Sequence, residues 1–146
     1  MTSQEKPSGY NGHAYFTIDE IAAMLPGPAR LMPEVGNRWW KVYYAAKAGN
    51  WALAEYEVKE TIELIETCMI TRPKYQKWME PFVHDNMGAV RTAIKKKDWK
   101  EFETVYNQSI KDANDYHKAA DKPLIHWKLP AMPPPDMEMA PVPDAK

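Results

Sequence analysis

The chain has one cysteine, Cys68, among 146 residues. That excludes an internal disulfide and any zinc or iron–sulfur site built from cysteines. Cys68 falls on an apolar helical stripe and reads as a small core residue. Charge of one sign is also lacking. The formal net charge is −1, with Lys and Glu interleaved, so no basic stripe points to nucleic acid and no basic amphipathic face points to a membrane surface. No apolar run is long enough to span a bilayer, and the opening Met1-Thr2-Ser3-Gln4-Glu5-Lys6-Pro7 has no apolar signal core. As written, the chain reads as cytoplasmic. Phosphate-cradling glycine loops, a nucleophile elbow and His-Glu-x-x-His are all missing. No general acid–base pair or activated nucleophile is visible, which places an enzyme last among the function classes.

What is present is aromatic and helical. Six Trp and eight Tyr stand against three Phe, rings that bury large areas while keeping a polar group in need of a partner. A single domain of this length buries roughly two-thirds of its unfolded surface. Residues 1–30 read as a polar arm followed by a short helix, capped by Thr17 with Asp19 and Glu20 in its first turn. Residues 31–122 carry four stretches of 3.6-residue periodicity. Helix A runs from Pro33, placed as a first helical residue, to Ala48. Gly49 ends it and Asn50 caps helix B, whose apolar face is Trp51, Ala54, Val58, Ile62, Ile65 and Met69. Helix C follows Pro73, with Pro81 near its first turns, and carries Met79, Phe82, Val83, Met87, Val90 and Ile94. Asp98 caps helix D, with Glu101 placed for a capping box. Its face is Trp99, Phe102, Tyr106, Ile110, Ala113 and His117. Short A–B and C–D links make antiparallel neighbours, so the expected architecture is all-α: an up-and-down four-helix bundle.

Ala45-Ala46-Lys47-Ala48-Gly49-Asn50-Trp51 aligns with Ala93-Ile94-Lys95-Lys96-Lys97-Asp98-Trp99. The alignment fits either a duplication or two tight turns that reach one solution. Each Trp is expected to plug its hairpin corner. From residue 123 onward the composition shifts: seven of the thirteen prolines lie there, including Pro133-Pro134-Pro135. Residues 123–146 therefore read as an extended tail. Leu124–Leu129 is apolar enough to lie on the bundle, and the part beyond Met132 is expected to be a tether or a strap for a partner, dispensable for folding.

Carboxylate-bridged di-metal bundles need Glu-x-x-His on two helices. Here Glu80 and His84 are spaced by four, and Asn114 replaces the acid before His117. His13, His84 and His126 read as solvated or structural, whereas His117 closes an apolar stripe behind Tyr116 and reads, in isolation, as a core histidine hydrogen-bonded to a neighbour before it reads as a ligand.

The run Trp39-Trp40-Lys41-Val42-Tyr43-Tyr44-Ala45-Ala46-Lys47-Ala48-Gly49-Asn50-Trp51-Ala52-Leu53-Ala54-Glu55-Tyr56, followed by Asp98-Trp99-Lys100-Glu101-Phe102 and Tyr106, resembles a family of bacterial cytochrome c-like (cytochrome c′-type) four-helix proteins over residues 33–130. In haem-bearing members helix D contains Cys-x-x-Cys-His. The corresponding stretch here, Ala113-Asn114-Asp115-Tyr116-His117, keeps the histidine and lacks both cysteines. The resemblance therefore implies a haem-free branch with no covalent cofactor. It also implies that the haem region between helices A and D is either repacked as aromatic core with no ligand or holds a small ligand, in which case Trp40, Tyr44, Tyr116 and His117 line it, with Glu60 of helix B as a further candidate. On this reading the protein binds a small molecule or serves as an accessory protein, and no catalytic residue, metal or cofactor is expected. The alternatives are an interaction subunit strapped to a larger enzyme by its tail, and a non-covalent haem or metal protein using His117 with His13 or His126. Self-association into a homodimer stays open.

Overall fold

The computed structural model describes residues 7–143, so the first six residues of the expected arm and the last three of the tail lie outside the described residues. The chain is mostly helical. The arm, which has no periodicity to announce it, forms a small antiparallel hairpin of β1 (Ser8–Tyr10) and β2 (Tyr15–Thr17), with Tyr10 opposite Tyr15. Asn11 closes the loop by accepting from the amides of His13 and Ala14 through its side-chain oxygen, at 3.0 Å each. Thr17 then starts α1 (Ile18–Met24) with a reciprocal capping box. Its hydroxyl accepts from the Glu20 amide, and the Glu20 carboxylate accepts from the Thr17 amide.

The first long helix, α2 (Pro28–Lys47), starts five residues before the expected Pro33. Pro28 takes the first-turn position, where a missing N–H costs nothing. Pro33 lies inside the helix on an exposed face, where the freed carbonyl can reach water. Next come α3 (Trp51–Thr71), a single 3-10 turn (Pro73–Tyr75), α4 (Gln76–Pro81), a π-helical segment (Phe82–Met87), α5 (Gly88–Lys96) and α6 (Trp99–Ala119). From Gln76 to Lys96 these pieces form one continuous rod whose middle turn is widened just after Pro81. Nothing in the apolar periodicity marks the wide turn, which opens directly after Pro81, a residue that cannot donate to its i−4 carbonyl.

The α2–α3 and α5–α6 joints are built alike. At the first, the Gly49 amide donates to Ala46 and the Asn50 amide to Ala45, with Gly49 at φ 76°. At the second, the Lys97 amide donates to Ile94 and the Asp98 amide to Ala93, with Lys97 at φ 53°. Both are Schellman closures. Asn50 and Asp98 then cap the next helix by accepting from the amides of Leu53 and Glu101. The 48-residue correspondence extends well beyond the two corners. Buried positions pair as Trp39 with Met87, Val42 with Val90, Ala45 with Ala93, Ala54 with Phe102, Val58 with Tyr106, Thr61 with Ser109 and Ile65 with Ala113. The two helix-interior prolines, Pro33 and Pro81, also match. The Glu55–Arg91 ion pair at 2.6 Å has its counterpart in Tyr43 beside Glu103. The pattern slips near the first of these prolines. Where the first hairpin buries Val35, the second buries Phe82, one position early, at the start of the π-helical segment.

The core is an aromatic ladder. Trp39 stacks on Tyr106 with centroids 5.2 Å apart, and Tyr106 stacks on Phe102 at 5.5 Å. The polar groups of these rings are answered: the Trp39 indole donates to Ser109 (3.1 Å), and the Tyr106 hydroxyl donates to the Trp39 carbonyl (2.6 Å). Trp51 and Trp99 both contact Phe102 but are only half-buried, less enclosed than corner plugs would be. Cys68 is fully buried, and burial pushes its thiol up. Glu57 is also fully buried, which helix periodicity did not anticipate, and pairs with Arg38.

The tail beyond Met132 departs most from expectation. It folds back along α2. The Tyr44 hydroxyl donates to the Pro130 carbonyl, Asp136 pairs with buried Lys41 at 2.8 Å, and the Asn50 side chain donates to the Ala140 carbonyl. Pro134 and Met139 are buried. Composition alone hides these contacts, because each is a single polar anchor or one apolar side chain spaced along a run of prolines.

Candidate functional site

At the pole opposite the two tight joints, the helix ends splay around a cavity of about 430 Å³. Its wall takes Pro28, Ala29, Met32 and Val35 from the start of α2, and Ile65 from the last turns of α3. Tyr75, Trp78, Met79 and Phe82 come from the 3-10 turn, α4 and the π-helical segment, and Ala113, Tyr116, His117 and Ala120 from the end of α6. The tail closes it with Ile125 and Trp127. The opening of the wide turn puts Phe82 here, where it meets Tyr116 edge to face at 6.4 Å. A second, more open concavity lies at the far pole, between the joints and Met137–Val142.

Trp127 is held in place by Asn114 through a paired amide interaction. The Trp127 amide donates to the Asn114 side-chain oxygen at 2.6 Å, and the Asn114 amide group donates to the Trp127 carbonyl at 2.9 Å. The indole then stands edge-on to His117 (5.7 Å) on one side and to Trp40 (5.2 Å) on the other. The α6 terminus behind it is fixed by a third Schellman closure. The Asp121 amide donates to Lys118 and the Lys122 amide to His117, with Asp121 at φ 59°.

Of the residues expected from sequence, Tyr116 and His117 line the cavity. Trp40 stands behind Trp127, outside the wall, and Tyr44 lies about one turn further along α2 under Pro130. Glu60 is half-buried on α3 and does not line the cavity. The expected seam between helices A and D is therefore filled by tail residues, and the open space lies at the helix ends. Trp78, Met79, Phe82 and Trp127 were missed as site residues. Met79 and Phe82 read as ordinary core-facing positions, and Trp78 was not singled out. Trp127 was visible only as part of an apolar hexad in the tail.

His117 is neutral near pH 7. Burial pushes its imidazole below the usual histidine range, neighbouring His126 pushes the same way, and a backbone hydrogen bond with Ile125 opposes them. Its Nδ1 is covered by protein and has no hydrogen-bond partner. His13, His84 and His126 are exposed, and His84 pairs with its neighbour Asp85 at 2.8 Å. The covalent haem of the resembled family does not fit these residues. Ala113 and Tyr116 stand where two thioether cysteines would be needed, and the Tyr116 ring is packed against Phe82.

Three cations reach the cavity: Arg72, Lys74 and Lys122. Arg72 is the most constrained. Its guanidinium donates to the Thr71 carbonyl (2.8 Å) and the Leu25 carbonyl (3.3 Å). It also presses so closely on Gly27 that a Cβ there would sit 2.9 Å from Nε.

No protein-family model matches the chain, and neither a curated protein nor a solved structure does.

Proposed function

We propose that the protein is a haem-free, cytochrome c′-like four-helix bundle that binds a small apolar molecule in the cavity at the splayed helix ends. One observation carries this reading. A cavity of about 430 Å³, walled by Tyr75, Trp78, Phe82, Tyr116 and Trp127, lies in a chain whose remaining interior is closely packed with rings. Its volume is that of small-molecule sites, which are concave, mostly apolar and largely pre-formed. Trp78 and Trp127 in the wall make occupancy readable by fluorescence. The uncharged probe N-phenyl-1-naphthylamine is expected to brighten on binding and to quench tryptophan emission, with saturation at one probe per chain. Ala120→Trp, which fills the cavity from the α6 terminus, should abolish binding while leaving the circular dichroism spectrum unchanged. A wild-type chain that leaves the probe dark would overturn the reading.

The strap to a larger enzyme has less support. The tail residues that would reach a partner are occupied on the protein's own helices, through Lys41–Asp136 and the buried Met139.

A further inference from the structure

The charged residues around the cavity are of one sign. Arg72, Lys74 and Lys122 reach it, and no Asp or Glu does, although acids outnumber Lys and Arg by 20 to 19 in the chain as a whole. The start of α2 adds to this field. Gly27 caps the helix with no side-chain acceptor, and Pro28 and Ala29 of its first turn line the wall, so the positive end of the helix faces the same space. The carboxyl ends of α3 and α6 also lie here, and cations just past a helix end offset their carbonyls. Those carbonyls already have partners. Cys68 accepts from the Arg72 amide, Thr71 from the Arg72 guanidinium, and His117 and Lys118 from the α6 closure. The Arg72 guanidinium spends donors on the Thr71 and Leu25 carbonyls but has N–H groups to spare, and Lys74 and Lys122 lie at the same rim.

We propose that the cavity selects organic carboxylates, with one carboxylate at the Arg72–Lys74–Lys122 rim and an apolar body among the rings within. The inference rests on the cavity being the ligand site. Only Arg72 is held in a fixed position by backbone carbonyls, while Lys74 and Lys122 are exposed on flexible stems. One fixed cation flanked by two mobile ones matches a single negative charge. Lys74 stays near the rim, its Nζ 5.0 Å from the Tyr75 ring centroid. A guanidinium offers a carboxylate charge-assisted hydrogen bonds that an alcohol or amide cannot reproduce.

Two matched pairs test the assignment by calorimetric titration: decanoate against 1-decanol, and 2-naphthoate against 2-naphthamide. Each acid is expected to bind about tenfold tighter than its neutral partner, the size of effect one charge-assisted hydrogen bond supplies, and the preference should shrink as salt is raised. Arg72 also holds the Leu25 loop, so Arg72→Gln reports on folding as well as recognition. The Lys74→Gln/Lys122→Gln double variant changes two exposed side chains and is expected to reduce the acid-to-neutral ratio by about threefold. Equal binding of acid and neutral partner, or an unchanged ratio in the double-lysine variant, overturns the carboxylate assignment and leaves the apolar cavity standing. If no member of either pair binds, both readings fall together.

Discussion

The Arg38 guanidinium meets the fully buried Glu57 carboxylate at 3.0 Å and holds Glu34 on its other edge at 2.9 Å. Burial pushes the Glu57 carboxyl up, while Arg38 and Lys41 oppose that rise. Its second oxygen, Oε1, has no hydrogen-bond partner. A buried ion pair is costly to break from one side and cheap to replace as a whole. Arg38→Met should therefore destabilise the fold by about 3–5 kcal/mol. The Arg38→Met/Glu57→Met double variant should recover most of that loss. Urea midpoints of the two single variants and the double variant close the cycle. Additive losses in the double variant would show that the pair is not coupled.

Lys41 and Asp136 make the second prediction, which concerns acid. Asp136 titrates below the usual carboxylate range, first because of its hydrogen bond with Lys41. A carboxyl with a depressed folded-state value contributes stability above its ordinary value of 3.8, and loses it as pH falls through the lower folded value. The tail should thus detach on acidification below about pH 4. In Asp136→Asn that acid-dependent step should be absent and the melting temperature at pH 7 lower than in the wild type. Removing everything after Met132 should lower it further, because Met139 is buried as well. Unchanged melting in the truncated chain would mean that these contacts do not hold the tail.

His117 supplies the third prediction. Its folded-state value lies below 6.5, so the folded protein binds fewer protons here than the unfolded chain as pH falls through 6.5. Stability from this residue is complete above 6.5 and is lost on acidification toward the lower folded value. His117→Phe removes the titration together with the unpartnered Nδ1, whose desolvation costs about 1–3 kcal/mol. Urea melts at pH 7.5, 6.5 and 5.5 should show a shallower acid slope for the variant and no loss of stability at pH 7.5. A large loss at pH 7.5 would show that the imidazole has a role in packing that phenylalanine cannot fill.

The paired joints give the fourth. Lys97 adopts the left-handed conformation that Gly49 adopts at the matching corner, and a side chain there costs roughly 1–2 kcal/mol. Lys97→Gly should stabilise the protein by about 1 kcal/mol, and Gly49→Ala should destabilise it by a similar amount. Nothing lies within 4 Å of a Cβ placed on Gly49, so its penalty is one of backbone conformation alone. Chemical denaturation of both variants is sufficient to read the opposite signs.

The helices were legible because their signals are local. Thr17, Asn50 and Asp98 cap as their residue types suggest, and the buried stripes follow the 3.6-residue period. Other features escaped. Pro33 looked like a helix start, because proline favours the first turn and nothing in its neighbours shows that Pro28 already occupies that place. Glu57 drew no notice beside the apolar face of α3, because its partner Arg38 lies 19 residues away on another helix. The cavity escaped most completely, since it is made where several helix ends fail to meet, and periodicity describes only the faces that do. Tyr116 and His117 could be found from their place at the end of one stripe. Trp40 and Tyr44 satisfy the same pattern but belong to the segment that the returning tail covers.

The course of the tail also fixes how the molecule can be held. Ala140 ends beside Asn50, at the joint pole, while Leu25 meets Arg72 at the cavity rim. The 21 residues of α3 separate those poles by about 32 Å. A fluorophore, resin or sensor surface attached at Val142, beside the same joint, would therefore stand about a full helix length from the mouth, leaving it open to solution. The same attachment at Leu25, beside Arg72, would crowd the entrance.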